Sequence, residues 1–133
     1  MTDQQPAGAS SLGVIRYQKL VRDRIPEIVA ESGLVAITRK LGDDEYVEAL
    51  RAKISEEATE LADAPDDEVA TEIADLQEVI AALMAALKLS PEDVERVRRL
   101  RERERGGFAT RTFLVETRPP EKEPPPEKEP PLE

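Results

Sequence analysis

Between Asp44 and Lys88 the apolar residues recur every three or four positions, and that period is broken once, at Ala64-Pro65-Asp66-Asp67. Val47, Leu50, Ile54, Ala58 and Leu61 make one stripe; Val69, Ile73, Leu76, Ile80, Leu83 and Leu87 make the next. Such spacing is that of amphipathic helices. It predicts helices from about Asp44 to Ala62 and from about Asp67 to Lys88. A link this short between two helices leaves them as antiparallel neighbours. Everything else in the chain has to be arranged around that hairpin.

The hairpin carries two carboxylate pairs, Glu57 with Glu60 and Glu72 with Asp75, each three residues apart and so on one helix face. On a helical wheel, Glu57 lies at the margin of the first stripe. Glu60 and Lys53 flank it, and Glu56 points outward. Glu72 falls inside one edge of the second stripe, with Asp75 just beyond. An unpaired carboxylate on a packing seam costs several kcal/mol, so a cation or a basic partner is expected beside it.

The composition narrows the chemistry. The 133 residues include no histidine and no cysteine. Catalytic triads, imidazole bases, thiol nucleophiles and Cys- or His-ligated zinc are therefore excluded. A metal would have to be held by oxygen, which points to magnesium, calcium or manganese. A di-iron bundle built on Glu-x-x-His motifs is ruled out for the same reason. With a net charge of −10, binding to nucleic acid or an anionic membrane is disfavoured. Only 3% of residues are aromatic, so the core is expected to be aliphatic. No apolar run is long enough to span a bilayer, and the first dozen residues do not resemble a signal peptide. A cytoplasmic protein is expected.

Around the hairpin, residues 1–13 read as a disordered leader. Pro26 and Gly33 bracket a short helix. Just upstream, Lys19, Arg22 and Arg24 reverse the local charge. Leu34–Leu41 and Phe108–Val115 fit short strands or extended connections that pair with one another. Ser90-Pro91-Glu92-Asp93 opens a fourth, charge-rich helix that runs to about Arg105 and stops at Gly106-Gly107. Residues 117–133, in which PPEKEP occurs twice, read as a disordered tail with polyproline bias.

Two readings of the carboxylate pairs fit the pattern equally. They are the ligands of a hard-cation site, with Lys53 and the Lys19/Arg22/Arg24 group completing it, or ordinary acids on soluble helices in a chain with 29 of them. What separates the two readings is a resemblance. KISEEATEL followed by EIADL resembles the EExxE…ExxD signature of the MazG-like all-α nucleoside triphosphate pyrophosphatase superfamily. YQKLVRDRIPEIV and RGGFATRTFL are similar to the flanking motifs of its small phosphoribosyl-ATP pyrophosphohydrolase-like subfamily. The resemblance covers about residues 14–116 as one domain.

It implies an all-α, MazG-like four-helix bundle with short extended segments near the ends. It also implies magnesium-dependent hydrolysis, with manganese as a possible substitute, between the α and β phosphates of a nucleotide. Carried over, Glu57, Glu60, Glu72 and Asp75 match the metal ligands. Glu57 or Glu60 would orient the attacking water. Lys19, Arg22 and Lys53 would contact phosphates, with Arg105 of the RGGF block also on the substrate side and Gly106-Gly107 as a flexible lid. A homodimer or higher homo-oligomer is implied, and the thin apolar content is in keeping with it. The alternatives are phosphoribosyl-ATP as the substrate, or a non-catalytic helical interaction module.

Overall fold

The computed structural model describes residues 13–121. Most of the expected leader and tail, residues 1–12 and 122–133, lies outside the described residues. The described residues are all-α, with four α-helices and no strand. The chain divides into two units, one ending at Val97 and one beginning at Arg98.

Helix α1 (Ile25–Glu31) begins where proline is tolerated, with Pro26 in its first turn, where an amide hydrogen is not needed. Arg24 and Glu27 pair across that turn at 3.1 and 3.3 Å. The helix ends as Ser32 Oγ donates to the Val29 carbonyl at 2.7 Å, and Gly33 follows at φ +91°, a conformation natural to glycine.

Helix α2 (Asp43–Asp63) starts after Gly42, with three acids in a first turn whose macrodipole favours them. One of them, Glu45, takes both guanidinium nitrogens of Arg39, at 2.7 and 3.1 Å. Ala64 and Pro65 are extended, and a single 3₁₀ turn over Asp66–Glu68 leads into α3 (Val69–Ala86). Helix α3 stops two residues before the expected Lys88. Lys88 is left-handed at φ +60°, and the Lys88 and Leu89 amides donate back to Ala85 and Met84 at 3.1 and 2.8 Å. This is the Schellman closure, with a lysine where glycine is the usual residue.

Helix α4 (Pro91–Arg105) begins with a reciprocal cap. The Asp93 amide donates to Ser90 Oγ, and the Ser90 amide donates to Asp93 Oδ2, both at 3.0 Å. Donation from the Ser90 amide, with the Ser90 hydroxyl and Arg96 beside it, holds the Asp93 carboxyl below its ordinary value. The helix is followed by Gly106 at φ +81°.

Of the two alternatives for Leu34–Leu41 and Phe108–Val115, strand or connection, the structure takes the connection, and the pairing between them as strands does not form among the described residues. Leu34–Leu41 and Phe108–Val115 are irregular among the described residues. Val35 and Ile37 stand 83% and 90% exposed, so their β-branched side chains meet no sheet face. In the second segment a turn closes from Phe108 to Arg111, whose φ of +59° is incompatible with a strand.

The main helix–helix packing is α2 against α3. Its buried residues are Leu50, Lys53 and Glu57 on α2, and Glu72, Asp75 and Val79 on α3. Both triplets follow an i, i+3, i+7 line. Leu50 and Val79 sit symmetrically about the Ala64-Pro65 link, as do Glu57 and Glu72. The seam is therefore one apolar pair far from the turn and a charged layer nearer to it. Leu50 apart, the residues of the two apolar stripes are not among the buried ones. Ile73, Ile80 and Leu87 remain 39–42% exposed.

Candidate metal and phosphate site

The charged layer of the hairpin brings together Glu57, Glu72 and Asp75. One carboxylate oxygen from each lies within 4.8 Å of the others. The three residues are only 2%, 7% and 6% exposed. The seven-residue step from Leu50 to Glu57, and from Glu72 to Val79, is two helical turns. The same packing that buries the apolar pair therefore buries the acids. Asp75, expected to step outward from the seam, is buried with the rest.

Two basic groups meet the cluster. Lys53, at 5% exposure, sits one turn before Glu57, with its ammonium 3.9 Å from Glu57 Oε2. Arg22 reaches in from the segment before α1, and its Nη2 donates to Asp75 Oδ1 at 2.8 Å. One buried oxygen on each acid, Glu57 Oε1, Glu72 Oε1 and Asp75 Oδ2, accepts no hydrogen bond within the protein. Buried carboxylate oxygens are costly in that state. A donor set made only of carboxylate oxygen suits a hard divalent cation. The residues present thus fit a hard divalent cation.

Glu60 and Glu56 sit at the edge of this layer. Glu60 is half-buried and is not among the three converging acids. Burial pushes its carboxyl above the ordinary glutamate value, and the charges of Glu72 and Glu56 push it further, against a pull from Lys53. Glu56 does not point to solvent as the wheel had it. It is half-buried and bridges two lysines, 3.4 Å from Lys53 Nζ and 3.6 Å from Lys19 Nζ. The two ammonium groups, one from α2 itself and one from the segment before α1, hold it there. The three-residue step from Lys53 to Glu56 was the available signal for this contact. The Arg22–Asp75 bond joins residues 53 apart, and no local spacing announces it. Arg105 is exposed at the end of α4, in the second unit.

The comparisons with known proteins bear on the same residues. A family model described as phosphoribosyl-ATP pyrophosphohydrolase matches residues 14–102, a span that includes Lys19, Arg22 and all of the acids above. A Mycolicibacterium smegmatis protein described as uncharacterized is 56% identical over 43 residues, 32% of this chain and 44% of that protein. The match thus spans less than half the relative's length. No solved structure matches. The family model covers well over half of the chain, and the chain belongs to the phosphoribosyl-ATP pyrophosphohydrolase family, within the MazG-like pyrophosphatase superfamily.

Proposed function

We propose that the protein is a divalent-cation-dependent pyrophosphohydrolase that cleaves the α–β phosphoanhydride of a nucleoside triphosphate, releasing a monophosphate and pyrophosphate. The observation that carries this reading is the buried trio Glu57, Glu72 and Asp75, one carboxylate oxygen of each within 4.8 Å of the others, with a buried oxygen on Glu72 and on Asp75 that accepts no hydrogen bond. Glu57, Glu72 and Asp75 would hold a magnesium or manganese ion, with Glu60 beside them. When bound, such an ion neutralises phosphate oxygens and acidifies water. Glu60, whose proton affinity is raised by its surroundings, is suited to accept a proton from the attacking water, with Glu57 as the alternative group. Lys19 and Arg22 present positive charge at the exposed rim of an otherwise acidic surface and would steer the phosphates in. Lys53, buried under Glu56 and Glu57, would act on the phosphates through the field it sets up. Arg105 is proposed as a further substrate contact.

Phosphoribosyl-ATP is the second reading, favoured by the description of the matching family model. The protein would work as a homodimer or larger homo-oligomer. Leu50 and Val79 are the only buried apolar side chains among the described residues, while Ile73, Ile80, Val94 and Val97 stay 39–53% exposed. Apolar surface of that extent is normally covered. No described helix is long and apolar enough to cross a membrane, and a cytoplasmic location is proposed. Incubation with a panel of NTPs, dNTPs and phosphoribosyl-ATP, with magnesium or manganese, tests the reading. Pyrophosphate release with one or more of them is expected; orthophosphate release, or no turnover, overturns it.

A further inference from the structure

We propose that Arg22 is an exchangeable counter-cation. It holds Asp75 while no divalent ion is bound, gives up Asp75 Oδ1 when the ion arrives, and turns its guanidinium to the phosphates of the substrate. The inference rests on the proposed cation-dependent reading and goes beyond it in assigning one side chain two successive partners.

The argument starts from the unequal burial of the two bases at the cluster. The Lys53 side chain is 6% exposed and lies within α2, so it cannot leave. The Arg22 side chain is 43% exposed, while the Asp75 side chain that it bonds is 9% exposed. Arg22 is therefore partly in solvent while one of its nitrogens is in the site. Its backbone is anchored independently of that contact, since the Arg22 carbonyl accepts from the Ile25 amide at 3.0 Å. The side chain can turn without moving α1.

Charge favours the exchange. Lys53 is held by Glu56 and Glu57, 3.4 and 3.9 Å away, whereas Arg22 occupies an oxygen of Asp75, one of the three acids that would hold the ion. An ion at the trio repels a guanidinium bonded to its own ligand. Lys53 stays, so Arg22 is the group that yields. Asp75 offers a starting point for the entering ion, because Oδ2 accepts no hydrogen bond while Oδ1 is taken by Arg22. Once displaced, a planar guanidinium finds its best new partner in a phosphate, which it can grip with two nitrogens. The nearby Lys19 would add a second positive group on the same segment.

The test is calorimetric titration of the full chain with Mn²⁺ alone, without nucleotide, comparing the natural protein with Arg22→Gln. The variant should bind Mn²⁺ on the order of tenfold more tightly, since a competing and repelling charge is gone. Its melting temperature in chelator should be lower than that of the natural chain. Its KM for the nucleotide should rise about tenfold. An arginine that stayed in place would also repel the ion, so the exchange itself is read from the guanidinium ¹⁵N resonance of Arg22, which should lose the signature of its bond to Asp75 at Mg²⁺ saturation. Mn²⁺ binding that is unchanged or weaker in the variant overturns the exchange and leaves the proposed function standing. Failure of the natural chain to bind Mn²⁺ overturns both. Should the variant not fold, that resonance in the natural chain decides alone. It should shift on titration with Mg²⁺, and a stationary resonance at saturation overturns the exchange.

Discussion

Lys53 and Glu57 stand one helical turn apart on α2, both inside the seam with α3, with the ammonium 3.9 Å from the carboxylate. At that distance the contact is Coulombic rather than a well-formed hydrogen bond. Its value lies in what happens when one member is removed. A buried carboxylate that loses its base keeps its desolvation cost and gains nothing in return.

Replacing Lys53 with methionine, which preserves most of the volume, should therefore destabilise the metal-free protein by about 3 kcal/mol. Urea unfolding in chelator measures this directly. The loss should shrink when Mg²⁺ is present, because an ion takes over the role of counter-charge. A variant as stable as the parent would mean that Glu57 is neutral in the fold.

The acids across the seam should behave in the opposite sense. Glu72→Gln or Asp75→Asn removes one of three crowded like charges. In chelator, Glu72→Gln is expected to raise stability by about 1 kcal/mol, as replacing buried charge often does. Its cation-dependent pyrophosphate release should fall by roughly 100-fold, at the upper end of what loss of even an outer-shell partner costs. Helicity by circular dichroism should be retained. Undiminished turnover in both variants would remove these residues from the site.

Glu60 gives the protein a pH signature. Its carboxyl is raised in the fold, chiefly by burial and further by Glu72 and Glu56. The folded state thus binds a proton at Glu60 more tightly than the unfolded chain does. This contribution is fully present below the unfolded value, about 4.3. It is lost as pH rises through the higher folded value. In chelator, Glu60→Gln should flatten the decline in melting temperature across that window. An identical pH profile in variant and parent would show that Glu60 titrates as it does in the unfolded chain.

Lys88 occupies a left-handed position that closes α3. Lys88→Gly should stabilise the protein by up to about 1 kcal/mol, because glycine takes that conformation without the cost borne by a β-carbon. The gain is set against the extra entropy that glycine brings to the unfolded chain. Thermal melts of the pair decide the sign.

The sequence reveals helix ends better than it reveals helix faces. Pro26, Pro65 and the Ser90-Pro91 start each act within one turn, and the observed boundaries fall within about two residues of those expected. The seam was harder to read. Periodicity locates an apolar stripe but does not tell which edge of it meets the neighbouring helix. Here the neighbours meet along Glu72, Asp75 and Val79 rather than along Ile73, Ile80 and Leu87. The three buried acids were all visible as members of the ExxE and ExxD pairs. Their basic partners were visible only in part, because Arg22 reaches Asp75 by tertiary folding alone. Of the two forms the β-branched segments could take, the connection prevails over the strand, because such residues favour a sheet only where a sheet exists to receive them.

The symmetry of Glu57 and Glu72 about the Ala64-Pro65 link has a consequence for how such a chain can change in length. One residue inserted into α2 between Leu50 and Glu57, or into α3 between Glu72 and Val79, would rotate the carboxylate beyond it by about 100° relative to the apolar end of its helix. It would carry that acid out of the trio while the buried Leu50 and Val79 held the far end in place. Insertions between the acids and the turn leave each acid in register with the apolar end of its own helix. Those before α2 or after α3 leave the trio untouched as well. Tolerance to insertion, mapped residue by residue along the hairpin, should therefore fall sharply from Leu50 to Glu57 and from Glu72 to Val79, and recover at the Ala64-Pro65 link and beyond the ends of the hairpin.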